Sequence, residues 1–250
     1  FDTFHADYQN IYRVNSQRKE NGAIEKYAIT PYALGPVLQQ HIPEVTSMVR
    51  IRYANHIYLR LDKELINCEN LLEADSSLFN VLTFRFIKGD RTALQHPNSI
   101  VLTRTMANKL FGTTDVLQRT LNINNDPNLY QVTAVIEDTE PNSQLFLQAV
   151  MPIRDQHEFS SISIEDPVVF VDNAATLFVR LSKPITPDFM EKVEAALNPY
   201  IKKSDRMEHG FEVSFQPIAD VYLGPAYRND YFKKGSPIYV YAFSVLGFLL

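Results

Sequence analysis

The apolar positions of this chain fall into two rhythms, alternation and a spacing of three to four, and the switches between them mark its elements. Phe1, Phe4, Tyr8, Ile11 and Tyr12 are spaced for one helical face, and Ile11-Tyr-Arg-Val then reads as a strand. Thr30-Pro31 predicts a helix start, with threonine as cap and proline in the first turn. Leu34, Val37, Leu38 and Ile42 continue that helix to a stop at Pro43. Val45 to Leu61 is β-rich, alternating in Met48–Tyr53 and again in His56–Leu61. The same sequence of patterns returns late in the chain. Ala175–Leu181 reads as a strand, Thr186–Ile201 as a helix with Phe189, Val193, Ala196, Leu197 and Tyr200 on one face, and Phe211–Phe215 as a returning strand.

Between these two strand–helix–strand units lies a stretch with its own pattern. Asp75 is placed to cap a short helix holding Leu78 and Phe79, and Thr83–Ile87 follows as a strand turned by Gly89-Asp90. Ser99–Leu102 is a strand, and Thr103 caps a helix burying Met106, Ala107, Leu110 and Phe111, with Gly112 as its left-handed stop. Leu121–Ile123, Tyr130–Ile136 and Leu145–Met151 read as further strands, the first two joined by the turn Asn124-Asn-Asp-Pro. Residues 157–167 read as a loop. The pattern predicts an α+β fold of two subdomains. A discontinuous one, 1–62 with 168–235, is built from two β-α-β units with helices on one face of the sheet. A β-rich α+β subdomain, 63–167, is inserted into it.

Ile238 to Leu250 is apolar and uncharged, with Tyr239 and Tyr241 at its start, where amphipathic rings favour a membrane boundary. A spanning helix needs about 20 such residues. Residues 237–250 are expected to begin one, or else to form a buried terminal element. Lys233 and Lys234 precede the run and could meet lipid phosphates or lie in an ordinary loop.

Composition narrows the function classes. With 45% hydrophobic and 21% charged residues the chain is globular, and a net charge of −5 gives no footprint for nucleic acid. Cys68 is the only cysteine, which excludes internal disulfides and CxxC chemistry. Neither of the two common glycine-rich phosphate cradles occurs, nor do His-Glu-x-x-His or Gly-x-Ser-x-Gly. The six histidines stand apart from one another, and Glu137, Asp138 and Glu140 lack the alternation of a calcium loop. No catalytic residue, cofactor site or metal site is expected.

Three blocks carry a resemblance. Asp75-Ser-Ser-Leu-Phe-Asn-Val-Leu-Thr-Phe-Arg-Phe-Ile-Lys-Gly-Asp resembles the opening of the insertion in the periplasmic core domain of MacB/FtsX-like ABC-transporter permeases. Pro97-Asn-Ser-Ile-Val-Leu-Thr with Ala107-Asn-Lys-Leu-Phe-Gly is similar to the next block, and Tyr130–Asp138 followed by Pro141-Asn-Ser to the third. Phe4-His5 with Ile11–Val14, and Leu34-Gly-Pro before Ile42-Pro-Glu-Val, match the family's opening. Two positions depart from the pattern: Gln118 and Ala134 stand where the family usually has glycine.

The resemblance implies a domain held between the first and second membrane helices of a permease subunit, on the periplasmic side of the bacterial inner membrane. It implies a cytoplasmic ATPase subunit or domain, a second permease subunit, and a periplasmic partner protein or cargo. The discontinuous subdomain would lie near the membrane and the inserted one would reach outward. ATP-driven movement would be relayed through the domain to drive efflux, move a lipoprotein, or control a partner enzyme. The competing readings are a membrane-tethered ligand-binding sensor domain and an enzyme.

Overall fold

A computed structural model describes residues 2–20, 22–54, 56–140, 143–153, 173–202 and 210–236. The 237–250 run, with Tyr239 and Tyr241, and the loop expected at 157–167 lie outside the described residues. Among those described, no helix is long and apolar enough to cross a membrane.

The fold is α+β. In chain order its strands and helices are β1 (Ile11–Glu20), β2 (Ala23–Tyr27), β3 (Thr30–Pro31), α1 (Leu34–His41), β4 (Val45–Ala54), β5 (Ile57–Leu61), β6 (Glu64–Cys68), β7 (Leu71–Ala74), α2 (Leu78–Val81) and β8 (Phe86–Lys88). They continue with β9 (Ser99–Thr103), α3 (Arg104–Phe111), β10 (Thr120–Ile123), β11 (Leu129–Ile136), β12 (Ala149–Pro152), β13 (Asn173–Leu181), α4 (Pro187–Ile201) and β14 (Glu212–Pro217). All fourteen strands of the described residues join one mixed sheet, ordered β14-β1-β13-β4-β7-β12-β9-β11-β10-β5-β6, with β2, β3 and β8 beside β1, β13 and β11.

The β14-β1-β13-β4 end interlocks the two β-α-β units. Neighbouring strands there are antiparallel, so β1 and β4 run the same way with β13 between them. Alternation then divides the side chains of β1 and β13 between the two faces. Tyr12, Val14, Leu177 and Val179 meet α1 and α4, which contribute Leu34, Leu38, Phe189 and Val193. Ile11 and Phe178 point the other way into a core shared with Leu72, Val101, Ile136 and Leu145. That second core runs across the boundary between the outer units and the middle of the chain. At the far end, α3 covers β5, β9, β10 and β11 through Met106, Ala107 and Leu110.

Several local expectations hold. Thr103 accepts the Met106 N–H at the start of α3, and Gly112 ends the helix at φ 72°. Thr186 caps α4 through the Phe189 N–H. Gln118 has φ 67°, so the family glycine is replaced at a left-handed turn position. Ala134 lies beside a register shift in β11, and its Cβ faces Gly89. A Cβ on Gly89 would come within 2.7 Å of Ala134 Cβ and 2.5 Å of the Thr133 carbonyl oxygen, so this turn has no room for a side chain.

Others are corrected. No helix covers residues 2–12: turns and a short 3-10 segment, Tyr8–Asn10, lead into β1. Asp7 sits at φ 55°, outside the helical region, and the neighbouring polar side chains bond to other segments. Thr30 does not cap a helix. A residue before proline prefers extended backbone, and here it pairs with Ala175 of β13. Asp75 does not cap α2, because its carboxylate is taken by the Arg50 side chain and N–H. The strand expected at 83–87 starts at Phe86, since the Thr83 N–H is diverted to a side chain. The strand expected from Leu145 begins at Ala149. β5 leaves its sequence neighbour β4 and pairs with β10, where Ile57 and Leu59 are buried under α3.

Candidate functional site

The polar chemistry of the molecule gathers where the first and last described segments cross the sheet face opposite α1 and α4. Ile11, facing that way, fixes the direction of Arg13 and Asn15 by strand alternation. Arg13 is fully buried. Its Nη1 donates to both Asp230 oxygens at 3.0 Å and its Nη2 to Gln216 Oε1 at 2.9 Å. Lys234 Nζ lies 3.1 Å from Asp230 and donates to the Val221 carbonyl. Burial, followed by the nearby Arg13 charge, pulls the Lys234 ammonium below its ordinary range. Lys234 therefore turns inward to the cluster, while Lys233 is exposed at the surface.

The first segment is held as closely. Asp2 is buried and accepts from Ser143 Oγ at 2.7 Å and from the Gln144 N–H. Burial raises its carboxyl above the usual range in spite of these bonds. Arg180 of β13 donates to Asp7 and to the carbonyls of Ala6 and Val81, tying the segment to the sheet and to the end of α2. On the other side, the Gln144 carbonyl accepts the Lys233 N–H. One residue of the middle stretch thus bonds both ends of the described chain, and Phe232 is buried next to it in the shared core.

A cavity of about 270 Å³ opens beside this junction. Phe4, His5, Thr83, Phe84 and Leu145 form its walls, with Arg85, Glu137, Asp138, Thr139 and Glu140 around it. Thr83 N–H donates to His5 Nδ1 at 3.0 Å, and burial, reinforced by Arg180, lowers the imidazole to about 4. Glu137 pairs with Arg104, and Asp138 accepts from the Thr105 N–H and hydroxyl at the start of α3. A larger groove, about 470 Å³, runs between α4 and β14 along Val193, Leu197, Phe211 and Val213.

The remaining expectations are placed by the same geometry. Among the described residues no group of His, Cys, Asp and Glu is arranged to hold a metal. Cys68 is buried, and burial raises its thiol to about 12, which keeps it protonated and unreactive. Sequence reasoning missed Asp2, His5, Arg13, Gln144 and Asp230. Arg13 left one signal: a cation within the apolar opening of β1, Ile11-Tyr-Arg-Val. The others leave none, because their partners lie far away in the chain.

Comparison with known proteins places this architecture. The chain is similar to a domain of a protein assigned as a permease from Porphyromonas gingivalis, at 19% identity and a TM-score of 0.67 over 95% of this chain and 97% of that one. It is also similar to the periplasmic region of MacB from Actinobacillus actinomycetemcomitans, at 13% identity and a TM-score of 0.53, over 82% of this chain and 88% of that one. The extracellular domain of the noncanonic ABC-type transporter YknZ from Gram-positive bacteria gives 15% identity and 0.52, over 82% and 100%. These likenesses are of fold. No curated protein matches the sequence. The family model of the MacB-like periplasmic core domain matches residues 1–198, and the chain belongs to that family.

Proposed function

We propose that this domain is a non-catalytic relay of an ABC-transporter permease, carrying movement of membrane-spanning segments into a periplasmic sheet that contacts partner protein or cargo. Gln144 carries the reading: its N–H is bonded by Asp2 and its carbonyl by Lys233. A displacement of either end is therefore transmitted to the residue that holds the other. From there it passes through Leu145 and Phe232 into the shared core, a close-packed interior that resists local deformation. The buried Arg13–Asp230–Lys234 cluster makes the second end a defined attachment, since moving it would leave charges buried without partners.

In this reading, 1–62 with 168–235 acts as the membrane-proximal subdomain and 63–167 as the outward one, although the sheet runs through both. The 237–250 run with Tyr239 and Tyr241 enters the bilayer, with Lys233 at its headgroup boundary. Two permease subunits pair and are driven by a cytoplasmic ATPase outside this domain. Efflux, lipoprotein transport and control of a partner enzyme all use the same relay.

The test is made on the full permease with its ATPase in lipid nanodiscs. Spin labels at exposed Lys233 and at exposed Leu65 on β6 report the distance between the chain end and the far edge of the sheet in the two subunits. A change in the distance distribution between nucleotide-free and ATP-trapped states is expected. An unchanged distribution, with ATP turnover intact, would overturn the relay.

A further inference from the structure

Two residues that line the cavity beside the junction carry buried polar groups with no partner among the described residues. His5 is 3% exposed, and its Nε2 has no hydrogen-bond partner among the described residues. Because the Thr83 N–H donates to Nδ1, that nitrogen must be the unprotonated one, and the neutral ring carries its proton on Nε2. A buried donor without an acceptor is unfavourable unless something in the cavity supplies one. The Thr139 hydroxyl is the second such group, likewise buried and unpartnered.

The surroundings restrict what that acceptor belongs to. Three carboxylates line the cavity against one guanidinium, Arg85, so an anionic ligand is disfavoured. Glu137 and Asp138 are already engaged by Arg104 and Thr105. Glu140 is exposed; its backbone carbonyl accepts the Ser143 N–H, while its carboxylate makes no ion pair among the described residues. Phe4, its ring centred 4.3 Å from the His5 ring and tilted 45° to it, and Phe84 give apolar walls. The cavity thus offers buried hydrogen bonds inside, aromatic sides, and a negative charge at its rim.

We propose that this cavity binds a short peptide segment presenting a basic residue, whose backbone carbonyl accepts from His5 Nε2–H while its cationic side chain pairs with Glu140. The Thr139 hydroxyl bonds a second backbone group, and the aliphatic stem of the basic side chain lies along Phe4 and Phe84. The site is independent of the relay: it stands or falls by binding to this chain, whatever the permease transports.

The experiment uses the 250-residue chain labelled with ¹⁵N-histidine and follows the ring signals by NMR. Acetyl-Ala-Lys-Ala-amide is added, with acetyl-Ala-Glu-Ala-amide and cadaverine as separate arms. The lysine peptide is expected to shift the His5 ring signals saturably, and the other two are not. Glu140→Gln, at an exposed position, should weaken binding about fivefold, as for the loss of a rim ion pair of about 1 kcal/mol. His5→Phe keeps an aromatic ring and, followed by titration calorimetry alongside the original chain, should abolish binding. If the glutamate peptide binds equally, the charge argument fails. Equal binding of cadaverine, which has no carbonyl, would remove His5 from recognition. No saturable shift at millimolar lysine peptide, or a Glu140→Gln chain that binds as well as the original, would overturn the site.

Discussion

The two faces of the β14-β1-β13-β4 sheet are covered in different ways. On one face α1 and α4 lay down mainly aliphatic and aromatic side chains, with the Glu44–Lys192 pair at the edge of the packing. On the other, the two end segments are held by groups with fixed geometry: Asp2 on Ser143 and Gln144, Arg13 on Asp230, and Arg180 on Asp7. Apolar packing is non-directional and tolerates volume-conserving exchange. Buried ion pairs and hydrogen bonds are directional, and breaking one side leaves the other uncompensated. A face that only holds the fold together can use the first kind. Segments that keep one defined attachment gain from the second.

The contrast predicts different responses to substitution. Phe189→Ala on the helical face should cost about 3–5 kcal/mol by cavity formation, with Phe189→Leu recovering much of it, read by urea unfolding. Asp230→Ala on the opposite face should cost a comparable 3–5 kcal/mol because Arg13 stays buried and charged. Here the double variant Arg13→Met, Asp230→Leu should restore most of the loss. It should also speed hydrogen exchange at residues 228–234, since it removes the specific attachment while keeping the apolar area. Equal exchange in the double variant and the original chain would erase the distinction between the faces.

Acid should act on one face first. The His5 imidazole is lowered from 6.5 to about 4 by burial, so its neutral form is favoured in the folded chain. Between those pH values the unfolded chain binds more protons, and stability rises with pH. The contribution is complete above pH 6.5 and lost as pH falls toward 4, in total about 3 kcal/mol. Arg180 is the charge that acts on the ring alongside burial, and Arg85, Glu137, Asp138 and Glu140 line the cavity beside it. Asp2 has the opposite sign: its raised carboxyl adds stability at low pH that fades as pH rises above the ordinary aspartate value. His5→Phe should flatten the slope between pH 6.5 and 4, and an unchanged slope would assign it to other groups.

The smallest effect concerns neither face. Gln118→Gly relieves a left-handed backbone at φ 67° and should raise stability by roughly 0.5–1 kcal/mol. Gly89→Ala, in contrast, should be strongly destabilising because its Cβ meets the Thr133 carbonyl. Thermal unfolding of both variants would check the pair.

The sequence by itself determined what depends on near neighbours. The α3 cap at Thr103, its stop at Gly112, the cap of α4 at Thr186 and the buried faces of both helices follow from spacings of three and four residues. The two outer strand–helix–strand patterns and the blocks that carry the family resemblance were legible for the same reason. Tertiary structure decided whatever required a distant partner. Asp75 had the right position to cap α2, yet Arg50, on the strand beside it, offers two charge-assisted bonds and wins. Thr83 would continue a strand, but its N–H meets His5. β5 alternates well enough to pair beside β4, and only the core under α3 draws it to the far edge of the sheet. The junction at Gln144 joins residues 2, 144 and 233, and the cluster behind it joins 13, 216 and 230. Such contacts arise from how the sheet is ordered, and strand order is a property of the whole chain that no local window contains.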